Sequence, residues 1–150
     1  MSETRVDAAP RPEANRYLTF RLDEEIFGVP ILEVREIIEL QEISPVPRTM
    51  PWVRGVVNLR GRVLPVIDPK IRFGLAPVEP SELTVIVVLK AQDASPFGVL
   101  VDEVLEVQRL DPEAISETPV TGEAGEFVTG VGKLRDALLF ILDPNVLAVQ

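Results

Sequence analysis

The chain has 150 residues, a net charge of −9, 46% apolar residues, no cysteine and no histidine. That is enough apolar chain for one ordinary core, and it excludes disulfides, thiolate chemistry, zinc held by cysteine or histidine, and histidine acid–base or phosphoacceptor roles. The acidic balance repels nucleic acid, the basic cluster Arg48, Arg54, Arg60, Arg62, Lys70 and Arg72 lacks interleaved aromatics, and no run of about 18 apolar residues predicts a membrane span.

Residues 1–15 carry charges and prolines without an apolar run, and read as a disordered lead-in, not a signal peptide. Leu18, Phe20 and Leu22 alternate with Thr19 and Arg21, which predicts a strand over Tyr17–Leu22. Asp23-Glu24-Glu25 is its turn, and Ile26–Val29 pairs back. Pro30 then imposes a bend before a strand that ends near Leu40. Thr49 as cap, Pro51 and Gly55 predict one helical turn. Val56–Arg60 and Val63–Ile67 form a hairpin about Gly61, and Asp68-Pro69 starts a short helix. Leu83–Leu89 (LTVIVVL) reads as a strand buried on both faces. Phe97–Val101 and Val104–Leu110 form a second early hairpin. Val120–Glu126 is a polar loop, Val128–Leu134 and Leu138–Leu142 form a last hairpin, and Asp143-Pro144 starts another short helix.

Much of this order is repetition. Trp52–Pro69 (WVRGVVNLRGRVLPVIDP) matches Phe127–Pro144 (FVTGVGKLRDALLFILDP) at eight of eighteen positions, and Phe27–Leu40 matches Phe97–Leu110 at seven of fourteen. Two copies of a unit of roughly seventy residues follow, each with about five short strands, which close most economically as a small barrel. The apolar strand between the copies suggests that they share strands. Residues 16–150 are then a single domain of two repeated subdomains. Ile86, Val88, Val56, Leu64, Val66, Val99, Val131, Leu139 and Ile141 are its expected core. The copies differ most where Asn58-Leu59-Arg60-Gly61-Arg62 becomes Lys133-Leu134-Arg135-Asp136-Ala137.

No constellation for catalysis stands out. Asp68 and Asp143 precede proline in both copies, which favours helix capping over acid–base work. The run Glu33, Glu36, Glu39 and Glu42 reads as a solvated face. GVVNLRG lacks the spacing and the Lys-Ser/Thr ending of a phosphate loop. Asn58 and Gly61 serve either turn geometry or a polar ring around an apolar groove, and Arg60 either a surface ion pair or that ring. Trp52, with Phe127 as its counterpart, is a core or junction aromatic. No catalytic residue, metal ligand or cofactor is expected. A binding module is the favoured class, with a small-molecule-binding β-barrel as the rival.

The succession FGVPILEVREI, PWVRGVVNLRGRVLPVIDP, LTVIVVL, FGVLVDEVLEV and FVTGVGKL resembles the CheW-like family of bacterial chemotaxis coupling proteins from about Tyr17 to Leu147. The resemblance implies an all-β fold of two intertwined five-stranded SH3-like barrels with a few short helices. It implies a non-catalytic adaptor joining the cytoplasmic tips of methyl-accepting chemoreceptors to the regulatory CheW-like domain of a CheA-type histidine kinase. The adaptor would be cytoplasmic and recruited to receptor arrays at the inner membrane, without nucleic acid or membrane insertion of its own. Receptor contact would fall on Val34, Glu36, Gly55, Asn58, Arg60, Gly61, Gly98, Val104 and Val107, in a groove between the barrels; no kinase-binding face can be placed by motif. Pro69 stands where an aliphatic residue is usual in the family. The chain is expected to be free-standing, neither fused to a receiver domain nor cut from a kinase. The output it serves (flagella, pili or gliding) stays open.

Overall fold

Short runs of valine, leucine and isoleucine interrupted by Pro, Gly and Asp produce short strands and tight corners. The computed structural model describes residues 15–91, 95–117 and 123–147. The expected lead-in therefore lies outside the described residues but for Asn15, as does the start of the expected loop at 120–126. The first copy holds β1 (Arg16–Leu22), β2 (Glu25–Pro30), a 3-10 turn (Ile31–Glu33), β3 (Val34–Glu39), β4 (Val53–Leu59), β5 (Arg62–Ile67) and the short helix α1 (Pro69–Arg72). The second holds β6 (Val85–Leu89), β7 (Phe97–Val101), β8 (Glu103–Arg109), a 3-10 turn (Pro112–Ala114), β9 (Ile115–Ser116), another 3-10 turn (Glu123–Phe127), β10 (Val128–Lys133), β11 (Leu138–Leu142) and α2 (Pro144–Leu147).

The strands exchange between copies. One sheet runs β8-β1-β2-β11-β10-β9 and the other β3-β6-β7-β5-β4. Each sheet thus takes its first hairpin from one copy and its remaining strands from the other. The exchange is the same on both sides: β2 lies parallel to β11 with Gly28 opposite Ile141, and β7 lies parallel to β5 with Gly98 opposite Val66. Under the repeat these are equivalent pairs. The chain leaving β3 closes the second barrel on β4 through Ser44 N–H to Val56 O (2.8 Å) and Val56 N–H to Ser44 O (2.9 Å). In the first barrel β9 closes on β10 at the corresponding place, with Ser116 opposite Val131. These are the two intertwined SH3-like barrels expected from the sequence.

Burial follows the exchange. The largest apolar cluster lies between the sheets, joining Phe20, Leu22 and Val29 of one to Val87, Val99 and Val101 of the other. Each barrel adds a smaller interior, around Leu64, Val66, Ile86 and Leu100 in one and Leu110, Leu139 and Ile141 in the other. Burying such side chains contributes about 1.5–3 kcal/mol each, so separating the copies would expose most of the core.

Three expectations need correction. Val56 and Val131 are half-buried, and the neighbours Val57 and Gly132 point inward instead. Bulges after Val53 and after Val128 shift the parity of both strands, and a shift of one residue exchanges faces. No helix forms over 49–55: Val53 N–H closes a single turn on Met50 O (3.0 Å) and Val53 already begins β4. The strand expected from Leu83 begins at Val85, and Leu83 is exposed. The short helices after both Asp-Pro pairs are present.

Candidate functional site

The hairpin β4–β5 turns in two residues. Leu59 pairs with Arg62, and the turn residues Arg60 (φ 53°) and Gly61 (φ 85°) both have positive φ, as a type I′ turn requires. Asn58 Oδ1 accepts the Gly61 N–H at 2.9 Å and fixes the corner. The corresponding hairpin β10–β11 pairs Lys133 with Leu138 and needs a four-residue loop. The copies therefore part structurally at the segment where their sequences part.

This turn sends Arg60 outward and back across the barrel mouth, where its Nη2 donates to Glu36 Oε2 of β3. That hydrogen bond, then the carboxylate's charge, raise the pKa of an arginine already charged at every ordinary pH. Beside the pair lies an open groove of about 910 Å³, lined by Arg35, Arg62, Val63, Pro65, Val88 and Lys90 among others.

Glu36, Gly98 and Gly55 share one rung of the second barrel. Glu36 faces Val88, Val88 faces Gly98, Gly98 faces Val66, and Val66 faces Gly55. Gly55 and Gly98 are buried, so their role there is close packing: a Cβ on Gly98 would sit 2.6 Å from Ile86 Cγ2. Asn58, Arg60 and Gly61 cap the adjoining turn and are exposed. Val34 is half-buried against the core between the sheets. Val104, also packed on that core, and the exposed Val107 lie on β8, in the other sheet. Seven of the nine sequence-derived positions thus fall on one barrel and two on its neighbour.

Sequence reading missed a buried ionic cluster. Asp68 is fully buried and accepts from Lys70 N–H (3.0 Å), Val78 N–H (2.9 Å) and Arg54 Nη1 (3.1 Å). Lys70, buried as well, places Nζ 2.5 Å from Asp23 Oδ1 and 3.7 Å from Asp102 Oδ2. Asp102 in turn accepts the Asp23 N–H at 2.7 Å. Burial pushes the Lys70 pKa down, but the hydrogen bond to Asp23 and the charges of Asp102, Asp23 and Asp68 outweigh it and the net shift is upward. The cluster ties α1 of the first copy to the β1–β2 turn and to the β7–β8 corner. The basic cluster counted from sequence therefore divides. Arg54 turns to the buried Asp68, Lys70 to the exposed Asp23 and the buried Asp102, Arg72 stacks on Trp52 (3.9 Å) and Phe127 (4.9 Å), and Arg48, Arg60 and Arg62 face solvent.

Glu33 stands apart from its acidic neighbours. Its Oε1 is buried with no hydrogen-bond partner among the described residues, and burial, then the charge of Asp143, raise its carboxyl pKa. A raised carboxyl favours folding at pH below its unfolded value and loses that contribution as pH rises through the folded value. Glu33→Gln is therefore expected to melt above the parent at neutral pH, with the gap closing as pH falls through the carboxyl's titration. Thermal melts across pH check it, and a parent that is the more stable at neutral pH would refute it.

Among the described residues no group of three or more acidic side chains is placed to hold a metal ion, and no helix is long and apolar enough to cross a membrane.

Comparison with known proteins gives a consistent result. The chain is 32% identical over 145 residues to the chemotaxis protein CheW of Treponema pallidum, covering 93% of this chain and 85% of that one. It is 34% identical over 128 residues to Protein FrzA of Myxococcus xanthus, covering 83% and 77% respectively. The crystal structure of the scaffolding protein TtCheW from Thermoanaerobacter tengcongensis superposes with a TM-score of 0.78 at 33% identity, over 86% of this chain and 88% of that one. The family model described as CheW-like domain matches residues 16–150, and with the relatives and the shared fold it shows that the chain belongs to the CheW-like domain family.

Proposed function

We propose that this chain is a non-catalytic adaptor that couples the cytoplasmic tips of methyl-accepting chemoreceptors to a CheA-type histidine kinase, with residues 16–150 acting as one CheW-like domain. The observation that carries the reading is the family match across nearly the whole described chain, at full sequence coverage of both barrels. The adaptor works in the cytoplasm, at receptor arrays. A helical receptor tip meets the surface built by Val34, Glu36, Asn58, Arg60, Gly61, Val104 and Val107, while Gly55 and Gly98 shape the barrel wall beneath it. The fixed guanidinium fork of Arg60 offers donors to receptor carboxylates or carbonyls, and the valines offer apolar contact. The likeness to Protein FrzA is compatible with a second reading, an adaptor in a pili or gliding system. The chemotaxis reading is favoured because the other relatives compared carry that name.

Arg60→Ala is expected to weaken receptor pull-down and receptor-dependent kinase activation while kinase binding persists. Its melting temperature should stay close to the parent's, since Arg60 is exposed and a surface ion pair contributes little stability. Unchanged receptor binding by the folded variant would end this reading of the site.

A further inference from the structure

Val104 and Val107, which the first barrel contributes to the proposed receptor face, stand three residues apart on β8. Side chains alternate along a strand, so a regular β8 would turn them to opposite faces. Instead they share one. Val104 lies opposite Phe20 and Val107 opposite Leu18, two residues of the core between the sheets. A register shift between Leu18 and Phe20 makes this possible: Leu105 and Glu106 on β8 span the single residue Thr19 on β1. A bulge of this kind adds one residue and so changes parity.

Thr19 fills the bulge. It is 2% exposed, and its hydroxyl donates to Glu106 O at 2.6 Å and accepts the Glu106 N–H at 3.1 Å. The pairing of β1 with β8 skips this rung, so the hydroxyl stands in for the missing backbone link. The internal repeat supplies a control. Glu36 is the counterpart of Glu106, and β3 carries the same bulge, between Val34 and Glu36. There Glu36 pairs directly with Val88, which is as buried as Thr19 but has no hydroxyl. The fold thus accepts valine at this place, and closing the sheet does not by itself demand threonine.

We propose that Thr19 is a positioning residue for receptor contact: it touches no partner, and its hydroxyl sets the bulge that brings Val104 and Val107 onto one face. The proposal rests on the adaptor reading, which makes that face the receptor's. Without the hydroxyl, the Glu106 N–H and C=O lose their partner inside the sheet. The rung then closes backbone to backbone, as at Val88, or slips by one residue and turns Val107 away. Either change displaces Val107 relative to Val104.

Three substitutions test it: Thr19→Val, Thr19→Ser, and Ile141→Val in the interior of the same barrel. Each is measured for melting temperature, for affinity to the soluble cytoplasmic fragment of a methyl-accepting chemoreceptor, and by methyl NMR at Val104 and Val107. Thr19→Val is expected to bind the fragment at least about fivefold more weakly, with the Val107 methyl resonances displaced and the Glu106 amide exchanging faster. Thr19→Ser keeps the hydroxyl and should bind like the parent. So should Ile141→Val, even where its melting temperature falls as far as that of Thr19→Val. Parent-like binding by Thr19→Val overturns the proposal while leaving the receptor face standing. Equal weakening in Thr19→Ser or Ile141→Val also overturns it, because the hydroxyl would then have no part of its own. Val107→Asp tests the reading beneath: it should bind weakly, and parent-like binding would remove β8 from the receptor face and take the proposal with it.

Discussion

Replacing Asp68 by alanine is expected to cost about 3–5 kcal/mol, a large share of the ~5–15 kcal/mol that holds a domain of this size together. Asp68 is wholly buried. Removing its carboxylate strands the N–H groups of Lys70 and Val78, takes the partner from Arg54, and leaves Lys70 with Asp23 and Asp102 alone. Unpaired buried donors carry their full desolvation penalty. Asp143 occupies the same place in the second copy but is half-exposed; its side chain accepts the Asn145 N–H at 2.9 Å, and among the described residues it forms no ion pair with a cation. Asp143→Ala should therefore cost about 1 kcal/mol, the ordinary value of a lost cap. Urea midpoints for the two variants, with unchanged m-values, measure the difference. Equal losses would show that the cluster around Asp68 adds nothing beyond capping.

Gly55→Ala is expected to be nearly as damaging, by a different route. Gly55 has φ +142°, a conformation closed to side-chain-bearing residues, and a Cβ there would lie 2.2 Å from Ser44 O and 2.7 Å from Ser44 C. These are backbone atoms and cannot rotate away. Strain of about 1–3 kcal/mol combines with loss of the two Ser44–Val56 hydrogen bonds, each worth ~1 kcal/mol, to give a deficit of roughly 3–5 kcal/mol. The barrel should open at its closure first. Hydrogen exchange would then report selective loss of protection at the Ser44 and Val56 amides. The equivalent Gly130→Ala should cost only about 1–2 kcal/mol, because the atom met at 2.6 Å is the methyl Ile115 Cγ2. Protection at Ser44 surviving in Gly55→Ala would count against this account of closure.

Both predictions turn on one property of the fold: a duplicated sequence placed in unequal surroundings. The same inequality marks the face proposed for receptor contact. Arg60 has a repeat partner in Arg135, yet only the two-residue turn of the first copy, set by Asn58 and Gly61, brings its arginine back onto β3.

The sequence by itself determined a good deal. The duplication, the short strands, the capped helices after Asp68 and Asp143, and the tight turn at Gly61 are all local, and local chemistry decides them. The family resemblance rested on contiguous blocks and was legible for the same reason. Seven of the nine expected core residues are buried, because period-two alternation names a face. Val56 and Val131 escaped because a bulge changes parity without changing composition. The tertiary structure alone decided which copy each strand joins. β2 could pair with either copy's second hairpin by pattern, and only packing across the whole chain selects β11. It also decided the fate of like charges. Arg54 and Lys70 turn inward because Asp68, Asp23 and Asp102 meet them there, whereas Arg60 and Arg62 face water. Periodicity assigns a residue to a face, but an ion pair between residues far apart in the chain exists only once the fold has brought them together.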